Sequence, residues 1–454
     1  MLVSNDKEAK MKFPARAAAL LLLTVLFLLP EGCGNRRGSV PPARKEITLW
    51  HINVTNPTRQ VVEEAVGRFE DAHRDVAVRT EPTKNDSYKQ KLSQAMASGT
   101  VPDVFFTWGG GVLKSFVDQR QVADLTAAVE SDNVTRRLLP AALRFGTVRG
   151  KIYAVPMDVS AVVMWYNRDL FEKHSLRVPR TLDELKSVCA DLRKAGVIPV
   201  ALGNKDKWPG AFYFVYLATR IGGTKPFTDA AARAPGASFE DPCFLQAGQR
   251  LQELVRLGVF NDGSSALSYD DARQLFVREK AAMMLMGTWI LSDLRSDTKD
   301  AAGDAASFLD KVDCFAFPSV PDEHDQPGTI VGGINSAYAV SSRSRYPKES
   351  FDLLKELISD DTAAQWARTG RIPALRQEFL SGLLDRQVLP AARLLFSAPD
   401  IQLYYDQYLP PELAEMHKST TQSLIAGTMT PEEAARSMEK LASELASKSR
   451  SLPR

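Results

Sequence analysis

Three tryptophans stand where the chain changes direction. Trp108 precedes Gly109-Gly110-Gly111, Trp208 precedes Pro209-Gly210, and Trp289 follows a short apolar run closed by Gly287. An indole at the end of an element offers a flat apolar face to the space between elements, where small-ligand pockets form. Reactive chemistry has less support. The run TWGGGVLKS (Thr107 to Ser115) has glycines and a lysine but lacks the G-x-x-x-x-G-K-[ST] spacing of a phosphate loop. Neither a G-x-S-x-G elbow nor an H-E-x-x-H pair occurs. His51, His73, His174, His324 and His417 are scattered, and no cysteines stand in C-x-x-C spacing, so a zinc site has no support; no cofactor is expected.

The elements that must position these residues occupy 454 residues, enough for two domains of ordinary size. Hydrophobic residues make up 44% and charged residues 25%, the balance of a folded globular chain. A formal charge of +2 without a basic block argues against nucleic acid as a partner. Near the N-terminus, Lys12 and Arg16 precede the apolar run Ala17 to Leu29, and Gly32-Cys33-Gly34 follow it. Thirteen apolar-rich residues suit a signal peptide better than a membrane span, which needs ~20. The order resembles a bacterial lipoprotein signal, with Cys33 lipidated, although Pro30 and Glu31 depart from its usual residues. Met11 is an alternative start, since Asp6 and Glu8 are unusual in a positive leader. On this reading residues 1–32 are removed and 33–45 form a flexible tether. Cys189, Cys243 and Cys314 are expected as buried small hydrophobes, with at most one disulfide among them.

From Glu46 onward short strands alternate with amphipathic helices. Strands are predicted at Ile47–Trp50, Val76–Arg79, Val104–Thr107 and Val197–Ala201. Asn56-Pro57 has the form of a helix start, with Val62, Val66 and Phe69 at helical spacing behind it. A helix over Tyr88–Ala97 stops at Gly99, Thr181 and Glu184 form a capping box, and Asp241-Pro242 opens a helix that Gly258 closes. Such alternation predicts an α/β fold of parallel sheets with helices on both faces.

Five segments, in order, carry a family resemblance. They are Gly99-Thr-Val-Pro-Asp103-Val-Phe-Phe-Thr-Trp108, GKIYAVPMDVSAVVMWYNRDLF (Gly150 to Phe171), LFVREKAAMMLMGTW (Leu275 to Trp289), VGGINSAYAV (Val331 to Val340) and GRIPAL (Gly370 to Leu375). Together they resemble the family 1 extracellular solute-binding proteins, which include maltose-binding proteins; Glu279 stands where the pattern has Gly, a helix-end change. The resemblance implies a two-lobe periplasmic-binding-protein-like fold with a hinge and an interlobe ligand cleft. It implies lobes of 46–157 with 319–372, and 158–318 with 373–454. Crossings are expected near Val155 to Val159, Phe315 to Val320 and Arg371 to Ala374.

The implied ligand is a carbohydrate, which offers apolar faces to aromatics and hydroxyls to carboxylates and amides. Trp108, Trp208 and Trp289 are then stacking candidates. Asp158 at the first crossing, His51 and Glu81 at strand ends, and Arg371 are polar ones. Tyr404, Tyr405 and Asp406 sit where the family has an aromatic helix start lining the cleft, and Gly332 and Gly333 would let backbone approach the ligand. Asp103 is expected to cap local backbone beside Pro102. The implied role is capture by lobe closure, as a monomer held to the membrane by lipid alone, for the membrane subunits of an ABC-type importer. The rivals are a receptor for a non-sugar solute such as glycerol phosphate or a peptide, and a secreted glycoside hydrolase using two carboxylates.

Overall fold

The computed structural model describes residues 44–132, 134–300, 305–320 and 328–451. Lipidation of Cys33 and the 1–32 leader therefore lie outside the described residues, as does His324. Among the described residues no helix is long and apolar enough to cross a membrane.

The strands are β1 (Lys45–His51), β2 (Val76–Pro82), β3 (Val104–Thr107), β4 (Thr147–Val148), β5 (Lys151–Ile152), β6 (Ala154–Asn167), β7 (Ile198–Val200), β8 (Ala281–Gly287), β9 (Val312–Phe315), β10 (Ile330–Val340), β11 (Ile372–Pro373) and β12 (Ile401–Gln402). β4 and β5 form a small hairpin. The main sheet runs β2-β1-β3-β10-β6-β8-β7, with β9 and β11 also on β6 and β12 on β10. Pairing is parallel among β1, β2 and β3 and between β7 and β8. It is antiparallel wherever β6 or β10 meets β3, β8, β9 or β11, and where the two meet each other. The sheet is thus mixed rather than parallel throughout. Helical crossovers need parallel neighbours, whereas a strand that simply passes from one half of the molecule to the other can run either way.

β6 is that strand. Its first half, to Ala161, pairs with β10, and its second half, from Val162, pairs with β8 and β9. Fourteen residues at ~3.3 Å each make it about 46 Å long, far beyond an ordinary strand. All but one of them are buried, because helices cover both faces. β10 makes the return, pairing with β3 through Ala337 to Val340 and with β6 through Gly332 to Ala339. Phe315–Val320, where the return was expected, stays with the second half. Buried Arg220 donates to the carbonyls of Phe317 and Pro318 and onward to Thr329, and Ser319 exchanges backbone bonds with Arg180 and Leu182. In the segment expected to make the third crossing, Ile372 and Pro373 of β11 pair with Val159 and Asp158.

Local signals held where chemistry fixed them. Thr181 and Glu184 close their capping box on helix Leu182–Lys194, a device worth ~1 kcal/mol. Gly99 ends helix Asn85–Ser98 in the left-handed region at φ 71. Asp103 accepts from the Thr48 amide and hydroxyl and from Ser344, so it is structural. Glu279 takes φ 56, a position that favours glycine, and its carboxylate is held by Asn167 and Lys311. Asn56 is not a cap: Pro57 itself is the N-cap of helix Thr58–Ala72, and no side chain caps it. Cys189, Cys243 and Cys314 are free thiols.

Candidate functional site

A cavity of about 330 Å³ opens between the two halves of the sheet. The loops that follow β1, β2, β3, β7 and β8 all reach it, so it lies beyond the carboxyl ends of the parallel strands. Six of the twelve expected residues line it: Trp108, Trp208, Trp289, Arg371, Tyr404 and Asp406.

One wall is aromatic. Trp208 and Trp289 stand with ring centres 6.2 Å apart at 63°, making a corner, and Trp289 meets Tyr404 at 6.2 Å and 73°. Phe212 packs behind all three, and Tyr269 lies 5.1 Å from Trp208. Local backbone sets these rings. A Cβ on Gly287 would fall 2.0 Å from the Trp289 ring, so only glycine lets the indole lie back there. Thr288, between them, is pinned through its amide and hydroxyl to Ser160 of β6. Trp208 follows Lys207, which has φ 65 and ψ −44, and the Trp208 amide donates to the Asp206 carbonyl at 2.7 Å. That is a γ-turn of the rarer, strained hand, and it swings the indole into the cavity.

Charges complete this wall. Arg273 makes two bonds to Asp297, at 2.6 and 3.1 Å, and one to Asp270 at 2.9 Å. The Tyr269 hydroxyl donates to Asp293 at 2.7 Å, and burial holds the Asp293 carboxyl above its ordinary pKa. The facing wall carries Trp108, buried against Tyr88 and Phe106, with the Lys89 ammonium 5.2 Å from its ring centre. Burial pushes Lys89 below the usual lysine range. Burial also raises the Asp86 carboxyl, and Asp206 on the opposite wall adds to the shift. Lys84 reaches across the mouth to Asp270 at 3.5 Å.

The other expected residues lie outside the cavity, each for a visible reason. His51 is buried with Ile47 and Leu49 on the core face of β1 and accepts from the Asn53 amide; burial lowers its pKa to about 4. Glu81 is held on the outer edge strand by Lys91 and Arg79. Asp158 is beneath the floor, accepting from Asn335, Ser336 and Arg371. Gly332 and Gly333 serve strand packing: a Cβ there would meet the Ser160 carbonyl at 2.5 Å or Leu403 at 2.5 Å. Tyr405 is stacked flat on Phe227 at 3.5 Å, in the core.

Sequence reasoning missed Asn53, Asp86, Lys89, Tyr269, Asp270, Arg273, Asp293, Asp297 and Asn335. Helical spacing carried part of the signal. Trp289, Asp293 and Asp297 recur every four residues, as do Asn85 and Lys89, while Asp86 with Lys89 and Asp270 with Arg273 stand three apart. Once one member faces a cleft, the others follow.

The sequence model of bacterial extracellular solute-binding proteins matches residues 53–364. The melibiose/raffinose/stachyose-binding protein MelE of Bacillus subtilis is 21% identical over 419 residues, covering 92% of this chain and 91% of its own. A solved structure from work on xylan utilization by the thermophilic bacterium Caldanaerobius polysaccharolyticus is 29% identical, with TM-score 0.80 over 87% of this chain and 99% of that one. A chitin oligosaccharide binding protein reaches TM-score 0.80 at 22% identity, covering 88% and 98%. These likenesses share the two-lobe α/β fold, and the family match runs from β2 through β10 and takes in the cavity residues from Asn53 to Asn335, with Arg371, Tyr404 and Asp406 beyond it. The chain belongs to the bacterial extracellular solute-binding proteins, receptors that hold a solute without transforming it.

Proposed function

We propose that this protein captures a mono- or oligosaccharide by closing its two lobes on it and presents it to the membrane subunits of an ABC-type importer. The observation that carries the reading is the Trp208–Trp289–Tyr404 corner set among carboxylates. Indole faces cover the apolar C–H faces of a pyranose, and carboxylates such as Asp406 accept from its hydroxyls. The sugars named for the relatives support the same class.

Cleft charge weighs against a phosphorylated solute. Six aspartates (86, 206, 270, 293, 297, 406) line the cavity against Lys84, Lys89, Arg273 and Arg371. Three of those four cations are already engaged, Arg273 by Asp297, Arg371 by Asp158 and Lys84 by Asp270. A phosphate needs several convergent cations, and only Lys89 is left.

In this reading the lobes follow strand pairing: 44–157 with 336–371, and 160–334 with 374–451. Lipidation at Cys33 with the 33–45 tether would hold the receptor at the outer face of the cell membrane or in the periplasm, as two or more acyl chains do stably. A thermal-shift panel of neutral mono- and oligosaccharides against glycerol phosphate and peptides tests the class. Ligand at ~100 times its Kd adds ~2.7 kcal/mol to the folded state. Stabilisation by glycerol phosphate or a peptide, with none by any sugar, would replace this function.

A further inference from the structure

Asp158 is almost fully buried, on the strand that passes between the halves, and its bonds leave in three directions. Oδ2 accepts from Asn335 Nδ2 at 2.8 Å and from Arg371 Nη1 at 3.2 Å, and Oδ1 accepts from the Ser336 hydroxyl. Asn335 and Ser336 belong to β10, and Arg371 immediately precedes β11. One carboxylate therefore holds all three segments that cross between the halves.

The strands are irregular at this point. β10 pairs Ile334 with Val159 and Ser336 with Asp158, so Asn335 is an extra residue. Asp158 and Pro156 then pair with Ser336 and Ala337, so Met157 is extra on β6. A bulge re-aims the side chain of its extra residue. Asn335 is turned into the cavity, and the Met157 carbonyl is released to accept from Ala374 of the third segment at 2.9 Å. Arg371 also faces the cavity, and its Nε donates to the Ser292 hydroxyl, which donates to the Trp289 carbonyl at 2.7 Å. The two side chains on the cavity floor are thus both donors to Asp158.

We propose that Asp158 is the positioning residue of the hinge. It pins the three crossing segments at one point and aims Asn335 and Arg371 upward, so that whatever touches the floor is felt by every connection between the lobes. The inference rests on the two-lobe receptor reading, but its first test needs no sugar. Spin labels on Lys114→Cys and Lys194→Cys, exposed positions in the two halves, report the interlobe distance in the full mature chain. Asp158→Asn should at least double the width of that distance distribution. Amide exchange in β6, β10 and β11 should rise together by about tenfold, the factor that 1.4 kcal/mol gives, while β1 and β7 stay protected.

A packing role alone would lower the denaturant midpoint and leave the distance distribution narrow. Asp158→Asn/Arg371→Met separates the two if the single variant folds poorly. Removing both charges restores much of the midpoint, because no guanidinium is left buried and unpaired. The distribution should nevertheless remain broad. A narrow distribution in either variant, or exchange that rises evenly through both halves, overturns the proposal.

Discussion

The cavity wall formed by residues after Asp206 carries five aromatic rings, Trp208, Phe212, Tyr269, Trp289 and Tyr404, while the facing wall carries one, Trp108. On the aromatic wall each ring is braced by another, and Arg273 is gripped by Asp297 and Asp270. On the facing wall Lys89 has no carboxylate within ion-pair distance among the described residues, and its ammonium lies over the face that Trp108 would otherwise offer. One surface is braced by stacked rings and ion pairs; on the other Trp108 is set into the core and the Lys89 ammonium is held by no ion pair among the described residues. Preorganisation lowers the ordering cost of binding. The difference points to an order of events, with ligand settling on the aromatic wall and the facing wall coming down onto it.

The largest effect expected from this comparison is one of stability. Trp108 is 7% exposed and packs edge-on against Tyr88 and Phe106. Trp108→Ala should cost ~3–5 kcal/mol of folding free energy, as large core truncations do. Affinity of the protein that remains folded should fall only a few-fold. A large affinity loss at an unchanged denaturant midpoint would make the facing wall a stacking surface and undo the contrast.

Acid should act on both halves alike. Burial holds His51 at about 4 in the first half and His417 at about 4 in the second. Above pH 6.5 both rings are neutral folded or unfolded. As pH falls from 6.5 to 4 the unfolded chain takes up protons that the folded chain refuses, so stability is lost across that window and levels off below it. Each ring contributes up to about 3 kcal/mol of the loss. Denaturant midpoints at pH 7, 5.5 and 4 should show a shallower acid loss for His51→Asn and for His417→Asn than for wild type. A variant whose acid slope matches wild type would show that its histidine is protonated in the folded state.

Trp289→Ala should do the reverse of Trp108→Ala. The ring is half-buried, and stacking a sugar face on it removes ~50–100 Å² from water, ~1–3 kcal/mol. Calorimetry should show affinity reduced roughly ten- to a hundredfold. Retained affinity with a collapsed midpoint would move Trp289 into the core.

The fold was largely legible because its signals are local. The capping box at Thr181, the apolar run Val104–Thr107 and Gly99 each act over a few residues, and each stands where expected. The return crossing was not, since Phe315–Val320 and Ile330–Val340 are both apolar and it is distant partners, Arg220 on Phe317 and Pro318 with Arg180 and Leu182 on Ser319, that keep the first of them in the second half. The site divided along the same line. Tryptophans at element ends faced the cavity, because an element's end is a local property. His51 showed its buried side in the alternation Ile47, Leu49, His51, but Asp158 looked like a ligand residue until its partners, more than a hundred and seventy residues away, closed over it.

The smallest effect lies at the mouth, where the walls meet directly. Lys84 on the facing wall and Asp270 beside the aromatic wall approach to 3.5 Å, with side chains 76% and 56% exposed. An exposed pair of this kind contributes ~0.2–1 kcal/mol and is screened by salt. The pair spans the two halves, so it can form only when they are close together. Lys84→Ala should therefore leave the denaturant midpoint within error, leave the association rate of a bound sugar unchanged, and raise its dissociation rate about two- to threefold, since ~0.5 kcal/mol is worth roughly that factor. At 1 M salt, where the Debye length is ~3 Å, wild type and variant should release at the same rate. A dissociation rate equal to wild type at low salt would mean that the mouth is held by the braced wall alone. A difference that survives 1 M salt would assign the effect to the lysine stem rather than to its charge.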